Sequence, residues 1–243
     1  MRTVAIVQAR MGSTRLPGKV LKDVGGRTML ARVLERTARA KLLDQVVVAT
    51  TTAPADEAIV THCQTLNIPV FRGSEEDVLD RYRGAALEHD ADPIVRITSD
   101  CPLVDPDIVD EVLALYSTDR PDYASNVASR TFPQGLDVEV IRRGALELAW
   151  REARESHERV HVTPFIYQNR DRFRLATLNA DQDYSRLRWT VDTAQDLEFV
   201  RAVYARLGSE GRFGWRNVLE LLRREPALED INRGIRQKSL EEG

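Results

Sequence analysis

The chain has 243 residues, 42% hydrophobic and 30% charged. That is enough to bury about 70–75% of the unfolded surface without disulfides or a structural metal. Thirty-five basic against 38 acidic residues give a net charge of −3, which argues against a nucleic-acid binder, for which a basic excess is usual. No apolar run approaches the ~18 residues of a membrane span, so membrane insertion is not expected. The opening residues lack the charged, apolar and small-residue pattern of a signal peptide. Two cysteines, Cys63 and Cys101, fit a reduced compartment better than a disulfide scaffold, and a cytoplasmic protein is expected.

Along the first 116 residues two periodicities alternate. Thr3–Ala9 is a short, nearly continuous apolar run, the pattern of a buried parallel strand. A helix is expected over Thr28–Ala40, a second strand at Gln45–Thr50, a helix over Pro54–Leu66 and a third strand at Ile68–Phe71. Ser74, with Asp77 three places on, resembles a capping box opening a helix to about His89. Pro93–Thr98 is the fourth strand, and Asp105 followed by Pro106 starts the next helix. Strand–helix alternation of this kind implies a mostly parallel central sheet with helices on both faces.

The second half is less regular. Leu136–Ile141 alternates with period two and is expected as a half-exposed strand. Helices are expected near Gly144–Ala153, Ser156–Asn169, Thr193–Leu207 and Trp215–Arg224, and a strand at Leu187–Val191. There is no internal repeat and no linker, so one domain over residues 1–243 is expected.

The segment from Gln8 to Leu21, QARMGSTRLPGKVL, follows the first strand directly. It holds Arg10, Arg15 and Lys19 with no acidic residue, and Gly12 and Gly18 allow close backbone approach. Cations, backbone N–H groups and the hydroxyls of Ser13 and Thr14 together suit a polyphosphate. The spacing is not that of a P-loop. Five residues separate Gly12 from Gly18 where four are required, and Val20 stands where a metal-binding Ser or Thr belongs. A plain basic surface loop is the alternative.

Asp100 and Asp192 each follow an expected strand, as do Arg10 and Gly73. In open α/β sheets ligands bind outside the carboxyl ends of the strands, so all four are expected on one rim. Two carboxylates facing a polyphosphate loop repel it unless a cation lies between, and Mg²⁺ favours one or two carboxylates with phosphate oxygens and water. Asp192 also suits a helix cap. Asp105 is expected as a cap, Asp196 as a solvated first-turn residue and Cys101 as a small buried residue. His157, Glu158 and His161 satisfy the H-E-x-x-H zinc pattern. No third ligand follows closely and Pro164 constrains the helix, so a zinc site is not expected.

The loop QARMGSTRLPGKVL closely resembles the opening loop of the cytidylyltransferases that activate acidic sugars, the CMP-KDO synthetases among them. It is closer still to the spore coat polysaccharide biosynthesis branch. Six more segments look like that branch: RGSEEDVLDRY (Arg72–Tyr82), RITSDCPLVDP (Arg96–Pro106), PQGLDVEV (Pro133–Val140), RVHVTPFIY (Arg159–Tyr167), RWTVDTAQDLEFV (Arg188–Val200) and INRGIRQK (Ile231–Lys238). The resemblance implies a Rossmann-like nucleotide-diphospho-sugar transferase (GT-A-like) fold. It divides the chain into a nucleotide-binding half (1–116), an acceptor and dimerisation half (117–200) and C-terminal helices (201–243).

The resemblance also implies a magnesium-dependent nucleotidylyltransferase that uses CTP, acts on a sugar or sugar-acid hydroxyl, releases pyrophosphate and forms a homodimer. Arg10, Arg15 and Lys19 are then expected on the triphosphate, and Asp100 and Asp192 match the magnesium-holding positions. Met11, Gly12, Ser13 and Ser74 are expected at the nucleotide, and Asp137, Glu139, Arg159 and His161 at the acceptor. A sugar-1-phosphate nucleotidylyltransferase, a GT-A-type glycosyltransferase and a non-catalytic nucleotide-binding scaffold are the competing functions. The loop form argues against the first. The missing D-x-D partner, with Pro102 in its place, argues against the second, and the intact charged set argues against the third.

Overall fold

The computed structural model describes residues 2–237; Lys238, the last residue of the INRGIRQK segment, lies outside them. In chain order the strands and helices are β1 (Arg2–Gln8), α1 (Met29–Thr37), β2 (Gln45–Thr51), α2 (Glu57–Thr65), β3 (Val70–Gly73), α3 (Val78–Glu88), β4 (Ala91–Thr98) and α4 (Pro106–Asp119). There follow β5 (Tyr123–Ser125), β6 (Glu139–Ile141), α5 (Arg143–Glu152), α6 (Ser156–His161), α7 (Pro164–Gln168), β7 (Leu175–Thr177), α8 (Ala194–Leu207), α9 (Trp215–Arg224) and α10 (Ala227–Asp230). Short 3₁₀ turns lie at Lys19–Leu21 and Pro54–Asp56.

The strands form one sheet in the order β3-β2-β1-β4-β6-β5-β7. β3, β2, β1 and β4 are mutually parallel. β6 runs antiparallel to both β4 and β5, and β7 is parallel to β5. The chain winds outward from β1 to β3 and returns to place β4 on the other side of β1. That reversal creates a crevice at the carboxyl ends of β1 and β4, where an open α/β sheet binds its ligand.

Alternate residues of β1 enter two separate cores. Ala5 and Val7 pack with α1, α4, α8 and α9, while Val4 and Ile6 pack with α3, α5 and α7. Covering both faces is what makes these strands nearly continuous apolar runs. The helix α4 starts as expected, with Asp105 accepting from the Asp107 N–H at 2.9 Å and Pro106 in its first turn.

Several expectations need correction. The stretch Leu136–Ile141 is not half-exposed: only Glu139–Ile141 pairs, and β6 is buried between β4 and β5. The Leu187–Val191 segment makes one isolated bridge, Gln134 to Arg188, and no strand. Ser156–Asn169 is two helices, because Val162 takes a φ of 73° and Pro164 opens a new turn. The N-cap of α3 is Asp77, which accepts from the Asp80 N–H, and Ser74 accepts in turn from the Asp77 N–H at 3.0 Å. The three-residue strands β5 and β7 are too short for any period to show.

Candidate active site

After β1 the chain folds back on itself. The Met11 carbonyl accepts from the N–H groups of Ser13 (2.9 Å) and Gly18 (3.2 Å). Gly18 stands at φ 66°, a conformation that favours glycine. The Ser13 hydroxyl accepts the Leu16 N–H at 3.3 Å. Arg10, Gly12, Thr14 and Arg15 are left facing solvent. An unexpected residue anchors the loop. Asp56, only 2% exposed, accepts the Met11 N–H at 2.7 Å and the Thr51 hydroxyl through its other oxygen. No periodicity or motif singles Asp56 out. On the neighbouring turn, the buried Arg81 donates to the Ser74 carbonyl. Burial lowers the Arg81 pKa, and the nearby charge of Arg10 adds to the shift.

Asp100, just past β4, and Asp192, which follows no strand, come together, and the cation between them is Lys19. Its Nζ donates to Asp100 Oδ2 (2.9 Å), Asp192 Oδ1 (2.9 Å) and the Val191 carbonyl (2.8 Å). Asp192 arrives there because the Val191 N–H donates to the Asp100 carbonyl at 2.8 Å. Arg15 lies 3.0 Å from Asp192 Oδ2. Burial pushes the Asp100 carboxyl up, but the Lys19 ammonium and the Thr98 hydroxyl outweigh it and hold the group at about 2. Burial likewise lowers the Lys19 pKa, and the two carboxylates more than reverse that. Cys101 is buried as expected, its thiol pushed far up by burial and by Asp100.

Asp196 is not a solvated residue. It is 0% exposed and accepts from Arg188 Nε at 2.9 Å, from the N–H groups of Asp192 and Thr193, and from Asn232. Burial raises its pKa, but the Arg188 hydrogen bonds and the backbone donor prevail and lower it. Arg188 also donates to Asp192 Oδ2 at 2.8 Å. The spacing of Arg188 and Asp192, four apart, is visible in the sequence, but their fork is not.

The expected acceptor residues do not all join this cluster. Asp137 takes a two-pronged bond from Arg130, at 2.6 and 2.7 Å, and its charge reaches Cys101 beside Asp100. Glu139 is 4% exposed, with its oxygens engaged by Arg96 and by the Tyr123 hydroxyl at 2.8 Å; it is not presented to solvent. Arg159 pairs with Asp77 and donates to the Trp150 carbonyl at 2.7 Å, tying α6 to the start of α3. His161 ends α6, half-buried. Within the H-E-x-x-H pattern, Glu158 accepts the N–H groups of Arg154 (2.9 Å) and Glu155 (3.0 Å), so it caps α6. No group of three or more potential metal ligands gathers among the described residues.

A doubly covered sheet of this order, with a cationic loop over two carboxylates at the strand-end rim, is the architecture of a nucleotidyltransferase. The chain belongs to the cytidylyltransferase family, whose model matches residues 4–221. It is 33% identical to the spore coat polysaccharide biosynthesis protein SpsF of Bacillus subtilis, over 91% of this chain and 94% of that protein. A cytidylyltransferase structure from Leptospira borgpetersenii superposes with a TM-score of 0.90 at 33% identity, covering 98% of this chain and 100% of the other. CMP:2-keto-3-deoxy-manno-octonic acid synthetase, solved with CTP, shares the fold at a TM-score of 0.65 and 20% identity, over 85% of this chain and 100% of the other.

Proposed function

We propose that this nucleotidyltransferase transfers CMP from CTP to a sugar or sugar-acid hydroxyl, with Mg²⁺ and with release of pyrophosphate, in the making of a surface-polysaccharide or glycoconjugate precursor. The observation that carries it is the convergence of Asp100 Oδ2 and Asp192 Oδ1 on one cation, at the rim beside the Arg10–Lys19 loop. Support for CTP comes from the family and from the related fold solved with that nucleotide. Support for a polysaccharide precursor comes from the similarity to SpsF.

The donor set fits a hard divalent cation, since two carboxylate oxygens facing one point, completed by phosphate oxygens and water, is what magnesium takes. Asp100 and Asp192 would hold it. When bound, such an ion polarises phosphate and favours the ionised form of an attacking hydroxyl. The chain's own residues do the rest. Arg10, Arg15 and Lys19 bind the triphosphate and stabilise charge building on the leaving pyrophosphate. Met11, Gly12, Ser13 and Ser74 orient the nucleotide. Asp137, Arg159 and His161 form the acceptor side. Positioning and electrostatics supply most of the rate, as in phosphoryl transfer.

A thermal-shift titration with CTP, UTP, ATP and GTP, each with and without Mg²⁺, tests this. Ligand at 100 times its dissociation constant adds about 2.7 kcal/mol of stability. The expected result is a shift with CTP and magnesium that the other nucleotides do not match, followed by pyrophosphate release with a sugar acceptor. A shift with UDP- or GDP-sugars in place of CTP would point to a glycosyltransferase.

A further inference from the structure

We propose that Arg188 is the positioning residue for Asp192, and that Asp196, Asn232 and Gln237 hold Arg188 in place. The C-terminal segment beyond the family match, which ends at residue 221, is then part of the active site. This rests on the metal-assisted nucleotidyl transfer proposed above.

Asp192 has one oxygen on each side of the problem. Its Oδ1 faces Lys19, and its Oδ2 accepts from Arg188 Nη2 at 2.8 Å and lies 3.0 Å from Arg15 of the loop. A guanidinium is a rigid planar fork, so fixing its other donors fixes the direction of this one. Those donors are fixed. Nε meets Asp196 Oδ1 at 2.9 Å, Nη2 also reaches Asp196 Oδ2 at 3.1 Å, and Nη1 donates to the Gln237 side chain. Asn232 completes the frame. Its Nδ2 donates to the Arg188 carbonyl at 2.9 Å and to Asp196 Oδ1 at 3.0 Å.

A helix cap alone would not require this. The start of α8 is served by Thr193 and Asp196, each bonding the other's backbone N–H. Arg188 and Asn232 both bond the Asp196 carboxylate of that cap, but Arg188 also reaches on to Asp192 Oδ2, which the cap does not use. Their effect is to fix Asp192 through Oδ2 from the side opposite Lys19, leaving Oδ1 directed at the Lys19 ammonium. Partners that orient a metal-holding side chain typically contribute 10- to 100-fold in metal affinity or activity.

The test measures Mn²⁺ affinity in the presence of CTP, by electron paramagnetic resonance, for wild type, R188M, R188K, N232A and Q237A. Metal-free CTP affinity and the thermal midpoint are measured alongside. R188M and R188K are both expected to weaken Mn²⁺ by about 10- to 100-fold, with metal-free CTP affinity within twofold. Lysine does not rescue, because its ammonium is a point charge on a flexible stem and lacks the planar fork that aims one donor at Asp192 while the others are held by Asp196 and Gln237. N232A and Q237A are expected to weaken Mn²⁺ several-fold. Full recovery in R188K would reduce Arg188 to a bare charge and overturn the proposal. So would unchanged Mn²⁺ affinity in R188M alongside a lowered thermal midpoint. Should R188M not fold, the exposed Gln237 and the small change at Asn232 carry the test, and unchanged Mn²⁺ affinity in both overturns it. A wild-type protein that binds neither CTP nor Mn²⁺ would instead refute the proposed function, and this inference with it.

Discussion

Asp56 Oδ1 lies 2.7 Å from the backbone nitrogen of Met11, so a buried carboxylate between β2 and α2 sets the position of the cationic loop after β1. Without it, the Met11 N–H loses its partner, and an unpaired buried polar group costs about 1–3 kcal/mol. In D56A the loop should loosen. CTP affinity is expected to fall by roughly 10- to 100-fold, in line with that cost, and the thermal midpoint should drop. Isothermal titration and thermal unfolding check the two halves separately.

Lys19 stands where the two carboxylates would otherwise face each other. With Asp100 held at about 2 against an ordinary 3.8, the sign of its contribution is fixed. A carboxyl with a depressed folded pKa stabilises the protein above its ordinary value, and that stability is lost as pH falls from about 4 towards 2. The loss through Asp100 is on the order of 2 kcal/mol. In K19M only the Thr98 and backbone hydrogen bonds still oppose burial, so this acid-side loss should shrink. Urea unfolding of both proteins between pH 5 and about pH 2 reads the difference. K19M should also bind Mn²⁺ more tightly than wild type in the absence of nucleotide, while turnover falls.

Arg96 and Glu139 form a buried pair across β4 and β6, with Tyr123 donating to the second Glu139 oxygen. Removing one partner strands a buried charge, and E139A is expected to cost about 3–5 kcal/mol. Replacing both, as R96M with E139L, should recover most of that loss. Denaturant unfolding of the single and double variants checks it. An E139A protein as stable as wild type would mean that Arg96 finds water or another partner.

Both thiols should be inert in the folded protein. Burial pushes Cys63 up to about 12, and burial with the Asp100 charge pushes Cys101 up as well. Since the thiolate is the reacting form, Ellman's reagent at pH 8 should detect no thiol in the native protein and both after unfolding. Fast reaction of one thiol in the native state would show that its surroundings open.

Much of the first half is legible in the sequence because its signals are local. The apolar runs of β1, β2 and β4 need only their own residues to declare themselves, and Asp105 with Pro106 starts α4 in three positions. The convergence of Asp100 and Asp192 was expected from strand ends alone, although Asp192 is delivered by no strand. The segment before it is held by Gln134, which bonds the backbone of Leu187 and Trp189 at 2.9 and 2.7 Å. Gly135, at φ 103°, makes that approach possible, since a Cβ there would lie 2.5 Å from the Thr190 nitrogen.

The sequence by itself determined the fold class, through periodicity and caps, and the family, through the resemblance of seven segments, because these are short-range properties of the chain. Tertiary structure alone decided which charges neutralise which. Lys19 reaches across 81 residues to Asp100, Arg96 across 43 to Glu139, and Asn232 across 36 to Asp196. Whether Asp196 is solvated or buried, and whether Glu139 faces a sugar or an arginine, depends on what the sheet order sets beside each of them. Local pattern carries no record of a neighbour so distant along the chain.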